Sequence, residues 1–207
     1  MNPYKIEGPA VINFSGGRSS GFMLYKIIEA HGGTLPDDVK VIFANTGLEH
    51  HQTYEFIHKV EVKWAPIIWI EYDLDKNQKH IFNVVNYKTC SRKGKPFSIL
   101  NDKYKRLPNP VQRYCTGKVK IWTLRHFLKS LGWTEWISLI GLRADELRRV
   151  NKFKNETNYD TAIFPMYEAG HDLNDVLTFW ENNSFDLNLP NNSNIWGNCV
   201  GCHLKGY

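Results

Sequence analysis

The stretch Ala10-Val11-Ile12-Asn13-Phe14-Ser15-Gly16-Gly17-Arg18-Ser19-Ser20-Gly21-Phe22-Met23 decides how this chain reads. An apolar run with β-branched residues meets a loop of two glycines, three serines and an arginine, then turns directly into residues with helical spacing. Such a junction presents bare backbone N–H groups to an anion at a helix N-terminus, so it predicts a phosphate-bearing ligand. The loop is too short for a Walker A motif and lacks the Gly-Lys-Ser/Thr ending, and no dinucleotide fingerprint accompanies it. In isolation, a plain glycine–serine turn between a strand and a helix would read the same way.

Working outward, strand and helix signals alternate: apolar 10–14, helical 20–31, apolar 39–44, helical 51–64, apolar 67–72. A βαβαβ run of this kind implies an α/β fold with a doubly wound, mostly parallel sheet, helices on both faces and ligands at the strand C-termini. Residues 73–114 carry weak periodicity and the breakers Gly94, Pro96, Pro108 and Pro110, which predicts an irregular, lid-like excursion. A helix follows over 117–131, with Ile121, Leu124, Leu128 and Leu131 as its core stripe and Lys118, Trp122, Arg125 and Lys129 on another face. Gly132 stops it. A strand over 135–141, a polar loop over 151–160, a strand over 162–166 and a helix over 173–180 capped by Asp172 complete the reading. The expected organisation is one domain over 1–182 and an Asn-rich tail, 183–207, wrapped on the same domain.

No stretch approaches the roughly 20 consecutive apolar residues of a membrane span, and the N-terminus has no signal-peptide core, so a cytoplasmic protein without a membrane partner is expected. The net charge of +5 is unevenly spread. Twelve Lys/Arg residues between Lys88 and Lys129 face the single acid Asp102, a balance of +11 that suits a polyanion such as tRNA or DNA, although a solvated basic face has the same composition. His50, His51 and His58 lack the His-x-x-x-His spacing of a metal site.

The resemblance begins with the loop. Ser15-Gly16-Gly17-Arg18-Ser19-Ser20 resembles the Ser-Gly-Gly-x-(Asp/Ser)-Ser loop of N-type ATP pyrophosphatases and phosphoadenosine phosphosulfate (PAPS) reductases, the PP-loop or adenine nucleotide α-hydrolase superfamily. Phe43-Ala44-Asn45-Thr46-Gly47 is similar to that family's Asp-Thr-Gly turn, which lines the nucleotide pocket. Gly141-Leu142-Arg143-Ala144-Asp145-Glu146-Leu147-Arg148-Arg149 resembles its Gly-x-Arg-x-(Asp/Glu)-(Glu/Gln)-x-x-Arg signature, and Arg143 can pair bidentately with phosphate or sulfate oxygens. The resemblance implies an adenine nucleotide, ATP or PAPS, held by the amides and hydroxyls of residues 15–20, with Arg18 stabilising charge and Phe43, Asn45, Thr46, Gly47 and Gly141 flanking the base. Mg²⁺ belongs to the pyrophosphatase route, and Asn45 and Ser19 both replace a carboxylate that could hold it.

Four cysteines, Cys90, Cys115, Cys199 and Cys202, read as ligands or reactive thiols in a reducing compartment. Cys90 lies among cations that could lower its pKa, and Cys115 stands at a helix N-terminus beside a basic face. Cys199-Val200-Gly201-Cys202-His203 matches the c-type haem motif literally, but no export signal accompanies it. A redox pair and zinc, with Cys115, Cys199, Cys202 and either His203 or Cys90, are open readings. Adenylylsulfate-type reductases carry a Cys-Cys pair and a distal Cys-x-x-Cys around a [4Fe–4S] cluster. That likeness implies Cys115, Cys199 and Cys202 as cluster ligands, with Thr116 where a fourth would stand.

The implied activity is sulfur transfer by an iron–sulfur enzyme, with ATP-dependent activation of a nucleic-acid or small-molecule acceptor and a sulfur- or electron-donor protein. The alternatives are a sulfonucleotide reductase, whose nucleophile would have to be Cys90 if Cys202 is a cluster ligand, and a non-catalytic nucleotide- or nucleic-acid-binding module with structural zinc.

Overall fold

The computed structural model describes residues 2–109, 111–155, 161–190, 197, 199, 200 and 202. Six strands form one sheet in the order β4-β3-β2-β1-β5-β6: β1 (Ala10–Asn13), β2 (Val39–Asn45), β3 (Ile68–Leu74), β4 (His80–Val85), β5 (Ile137–Leu139) and β6 (Ala162–Ile163). β1 with β5, β2 with β3 and β5 with β6 run parallel, while β4 returns antiparallel on β3. The mostly parallel α/β sheet is therefore as the alternating sequence pattern implies.

The 73–114 segment departs from the expectation of an irregular excursion. It holds β4 and the helix α3 (Lys95–Tyr104), entered through Gly94 in a left-handed conformation and Pro96 in the first turn. β4 escapes a periodicity reading because neither face is fully buried, so apolar and polar residues do not alternate. Helix α5 (Leu147–Asn155) also runs through the first half of the predicted 151–160 loop, and 156–160 lie outside the described residues. The predicted strand over 162–166 is two residues long and passes at Pro165 into a short helix, α6 (Pro165–Glu168). Of the tail, 191–196, 198, 201 and 203–207 lie outside the described residues, His203 among them.

The helix after Cys115 also differs. It opens as a π-helix over Cys115–Trp122 and continues as α4 (Thr123–Ser130). The wider turn moves the buried stripe to Val119, Thr123, Leu124, Phe127 and Leu128, leaving Ile121 half-buried and Leu131 44% exposed. The Thr123 hydroxyl donates to the Lys118 carbonyl five residues back, at 3.1 Å. Gly132, at φ +83°, ends α4: its N–H bonds Lys129 O, and Trp133 N–H reaches Leu128 O, as in a Schellman cap.

The chain divides into two compact units: Met1–Val41 with Phe56–Ile67 and Thr134–Leu187, and Ile42–Glu55 with Ile68–Trp133 and Asn188–Tyr207. In the first, α1 (Arg18–Ala30) buries Phe22, Met23, Leu24 and Ile27 and meets α7 (Leu173–Glu181) through Trp180. Asp172 caps α7, accepting from Asn174 N–H and Asp175 N–H. The helix α2 (His51–Lys63) places Phe56 edge-on to Trp180, ring centroids 5.0 Å apart. In the second unit, Tyr72, Leu100 and Val119 form a core that Ile99, Tyr114 and Cys115 extend. No helix among the described residues is long and apolar enough to cross a membrane.

Candidate functional site

The 15–20 loop is held from within by one buried hydroxyl. Ser20 Oγ accepts from Ser15 N–H (3.3 Å), Gly17 N–H (3.3 Å) and Ser15 Oγ–H (3.0 Å), and donates to Gly17 O (2.9 Å). The Ser15 and Ser20 hydroxyls, expected to face the ligand, thus bond each other and fix the loop's shape. Gly16 sits at φ +75°, which only glycine adopts readily, and α1 begins two residues on. The N–H groups of Ser19 and Ser20, in the first turn, have no intrahelical acceptor.

Two further elements fasten this helix start. Arg18 pairs bidentately with Asp186, Nε to Oδ1 at 2.8 Å and Nη2 to Oδ2 at 2.5 Å, so its guanidinium is already partly neutralised by a carboxylate from the segment after α7. The Trp180 indole N–H donates to Arg18 O at 3.0 Å. Gly141, at the end of β5, lies so close that a Cβ there would stand 3.3 Å from Ser20 Cα, which accounts for a glycine at this position.

Arg143 reaches the same loop. Its Nη1 donates to Ser19 Oγ at 3.2 Å, while Nε and Nη2 each meet a carboxylate oxygen of Asp145 at 2.9 Å. Asp145 and Glu146 hold its guanidinium pKa above the ordinary arginine value, and in return Arg143 holds the Asp145 carboxyl below the usual range. The loop, Gly141 and Arg143 are therefore assembled on one unit, as the motifs imply.

The 45–47 turn lies in the second unit and is built differently from the expectation. Asn45, fully buried, donates to Glu71 Oε1 (2.6 Å) and Ser91 O (2.8 Å) and accepts from Gly47 N–H (2.9 Å) and the Tyr54 hydroxyl (3.1 Å). Its hydrogen-bonding capacity is complete, so the side chain organises the turn rather than meeting a nucleotide. A carboxylate here would confront Glu71, which gives a physical reason for Asn in place of the family's Asp. Gly47, at φ +76°, has the Gly94 backbone and the Ser91 hydroxyl against it, with Gly94 N–H bonding Gly47 O at 2.8 Å. Phe43 is in the core, edge-on to Trp69 at 5.0 Å, so an adenine could stack on its ring only by displacing Trp69.

The thiols also belong to the second unit. Cys199 Sγ lies 3.1 Å from Thr46 Oγ1 and 3.4 Å from Glu49 Oε1, and its backbone forms an antiparallel bridge with Glu49. Burial, reinforced by Glu49 and opposed by Lys120, pushes the Cys199 thiol up to about 11. The other Glu49 oxygen is buried with no hydrogen-bond partner among the described residues. Lys120, on the π-helix, is the shared cation: Glu49, Cys199, Cys115 and Cys202 all favour its charged form, and this outweighs burial. Cys202 N–H returns to Cys199 O at 3.3 Å, and all four cysteines are thiols. Cys115, Cys199 and Cys202 thus all bear electrostatically on one ammonium. Yet no three His, Cys, Asp or Glu side chains among the described residues are placed to hold a metal, so in this arrangement they do not make a metal donor set.

Cys90 stands apart, bonded to Tyr87 O at 3.5 Å. Burial raises its pKa, and Arg92, seated over the rings of Tyr54 and Tyr87, opposes that without reversing it. The expectation of a lowered pKa fails because the surrounding charges lie largely outside while the sulfur lies inside. Glu49, Glu71, Lys120 and Asp186 have no sequence signature of a site. Lys120 is one of twelve similar cations, and only the fold distinguishes it.

Comparison with known proteins matches residues 9–169 to the phosphoadenosine phosphosulfate reductase domain. A curated relative, the uncharacterized nin region protein ORF290 of Escherichia phage lambda, is 28% identical over 202 residues, 94% of this chain and 66% of its own length. The chain therefore spans just under two thirds of that relative. Among solved structures, the phosphoadenylyl-sulfate reductase of Candida auris, in its phosphate complex, superimposes with a TM-score of 0.48 at 17% identity, over 90% of this chain and 81% of that one. With the domain matched over most of its length, the chain belongs to the phosphoadenosine phosphosulfate reductase domain family.

Proposed function

We propose that this chain is an adenine-nucleotide-dependent enzyme of sulfur metabolism, binding the nucleotide phosphates on the 15–20 loop and using cysteine thiols for the sulfur chemistry. The observation that carries the reading is the convergence of Arg143 on Ser19 Oγ, at the start of a helix whose preceding loop is pre-shaped by Ser20. Fixed N–H groups and a guanidinium aimed at one anion stabilise the charge that develops on phosphate oxygens without reorganisation during the reaction. In the ATP-using form, cleavage between the α and β phosphates leaves AMP on an acceptor oxygen, which sulfur then displaces. A sulfur-donor protein would supply that sulfur.

An iron–sulfur centre, or zinc in its place, would draw on Cys115, Cys199 and Cys202. Their spacing and the cation they share support it, and its assembly requires the sulfurs to close further than they do here. The second reading, a sulfonucleotide reductase, is supported by Cys199 and Cys202 lying on one turn, with Cys202 N–H on Cys199 O at 3.3 Å, and by both being free thiols. There one thiolate attacks the sulfate sulfur of PAPS or adenylylsulfate and releases the nucleotide. A second thiol then expels sulfite and leaves a disulfide, which a dithiol donor protein must reduce.

The test is anaerobic purification with iron, sulfide and zinc quantitation, followed by incubation with ATP, PAPS and adenylylsulfate. Pyrophosphate release with a stoichiometric iron–sulfur centre supports the transfer reading, and sulfite release supports the reductase. A folded protein that binds none of the three nucleotides overturns both.

A further inference from the structure

One face of the second unit brings cations and aromatic rings together. His80, on β4, stacks on His126 of α4 with ring centroids 4.4 Å apart and lies parallel to Trp122 at 6.3 Å. Its Nε2 meets Thr123 Oγ1 at 3.1 Å, while its Nδ1 is buried without a partner among the described residues. Lys118 places its ammonium over the Trp122 ring, and Lys103 reaches across from α3 to donate to Gln78 O. Neither Lys103 nor Lys118 forms an ion pair with a carboxylate among the described residues. Burial and Lys103 depress the Lys118 ammonium; burial, His126, Lys118 and Lys103 depress His80. Every charge acting on these two groups is positive, and gathering like charges costs free energy that a bound polyanion would recover.

The aromatic groups narrow the class of anion. Trp122 is 44% exposed in the midst of these cations, and the imidazoles continue its stack. A half-open indole flanked by ammonium groups is the pairing that holds a single nucleic-acid strand: cations take the phosphates and the ring takes a base. Inorganic phosphate would use the charges but leave the ring idle.

We infer that this face is a binding surface for single-stranded nucleic acid, in which a base displaces the Lys118 ammonium from the Trp122 ring and stacks there, and Lys103 and the released Lys118 take phosphates. The surface does not depend on the nucleotide loop, so the two readings can fail separately.

The test is titration of the full chain, without nucleotide, into a labelled mixed-sequence single-stranded oligonucleotide at several salt concentrations, read by anisotropy. Binding should weaken with salt. The K103Q/K118Q double variant should lose about tenfold or more in affinity and flatten the log–log salt slope by about 1.4, at roughly 0.7 per phosphate contact for single strands. Trp122→Ala should lose about tenfold with little change in slope, because stacking is not ionic. Circular dichroism and melting establish that each variant is folded, and K59Q, exposed on α2 in the first unit, serves as the surface control. Oligonucleotide affinity that is unmoved in both folded variants overturns the assignment. So does binding to vesicles of anionic phospholipid with none to the oligonucleotide.

Discussion

Arg143 Nη1 bonds Ser19 Oγ across 124 residues of sequence, and the same guanidinium is clamped by both oxygens of Asp145. The clamp aligns the fork before any ligand arrives, so little side-chain entropy is lost on binding. Arg143→Ala should therefore lower the affinity for an adenine nucleotide by about 10- to 100-fold, the range expected for hydrogen bonds to a charged group. Arg143→Lys should recover part of the charge but not the bidentate geometry. Competition against a fluorescent adenine nucleotide measures both, and an unchanged affinity in a folded Arg143→Ala protein would remove Arg143 from the site.

Gly21 and Trp180 set how closely α7 approaches the start of α1. A Cβ on Gly21 would stand 2.6 Å from Trp180 Cζ2, and the same indole donates to Arg18 O. Gly21→Ala should cost about 1–3 kcal/mol by overpacking. For a chain of this size that lowers Tm by about 3–10 °C. Combining it with Trp180→Phe should cost less than the sum of the two single changes, since both act on one contact. Additive losses in calorimetry would show that the two positions do not share it.

The parts of this fold that were legible in the sequence are those with a short-range cause. The β-branched run 10–14, the glycines of the loop and the Asp172 cap each dictate their own local geometry, and the alternation of elements then implies a parallel sheet. The Cys115–Trp122 helix was misread in detail because an i→i+5 ladder has no propensity of its own, and the 3.6-residue period places Leu131 in a core it does not enter. The site was legible only where a motif names a backbone shape. Asp186 acts through Arg18, 168 residues away, and Lys120 chiefly through Glu49 and Cys199, distant in sequence, and ordinary surface residues have the same spelling. Asn45 was legible as a departure from the family pattern, but its reason lies on the neighbouring strand, at Glu71.

That reason is open to a direct test. Asn45 Nδ2 donates to Glu71 Oε1 at 2.6 Å inside a buried network, so Asn45→Asp would set two carboxyl groups against each other and aim a second acceptor at Ser91 O. One of the pair must keep its proton, which raises its folded pKa above the unfolded value of about 4. Stability is then closest to that of the parent below about pH 4 and falls as pH rises. At neutral pH the deficit should reach about 3 kcal/mol or more, as for other uncompensated buried charges. Melting curves from pH 4 to 8 should show the gap between variant and parent widening, and a constant gap would mean that Glu71 is not the reason for Asn45.

His80 predicts the opposite slope. Burial, followed by His126, Lys118 and Lys103, lowers its pKa from 6.5 to about 4 in the folded chain. The unfolded chain therefore binds the proton more readily. The stabilisation is complete above about pH 6.5 and is lost as pH falls toward 4, with an upper bound of about 3 kcal/mol from the size of the shift. Protonation would add a further cation beside Lys103 and Lys118, and should loosen β4 from α4 first. His80→Phe keeps a ring in the stack and removes the proton site, so its Tm should fall less steeply than that of the parent between pH 6.5 and 4.5. A bound polyanion offsets the same repulsion and should flatten the parent's profile too. Parallel profiles for parent and variant, with and without oligonucleotide, would mean that His80 is not the group that titrates.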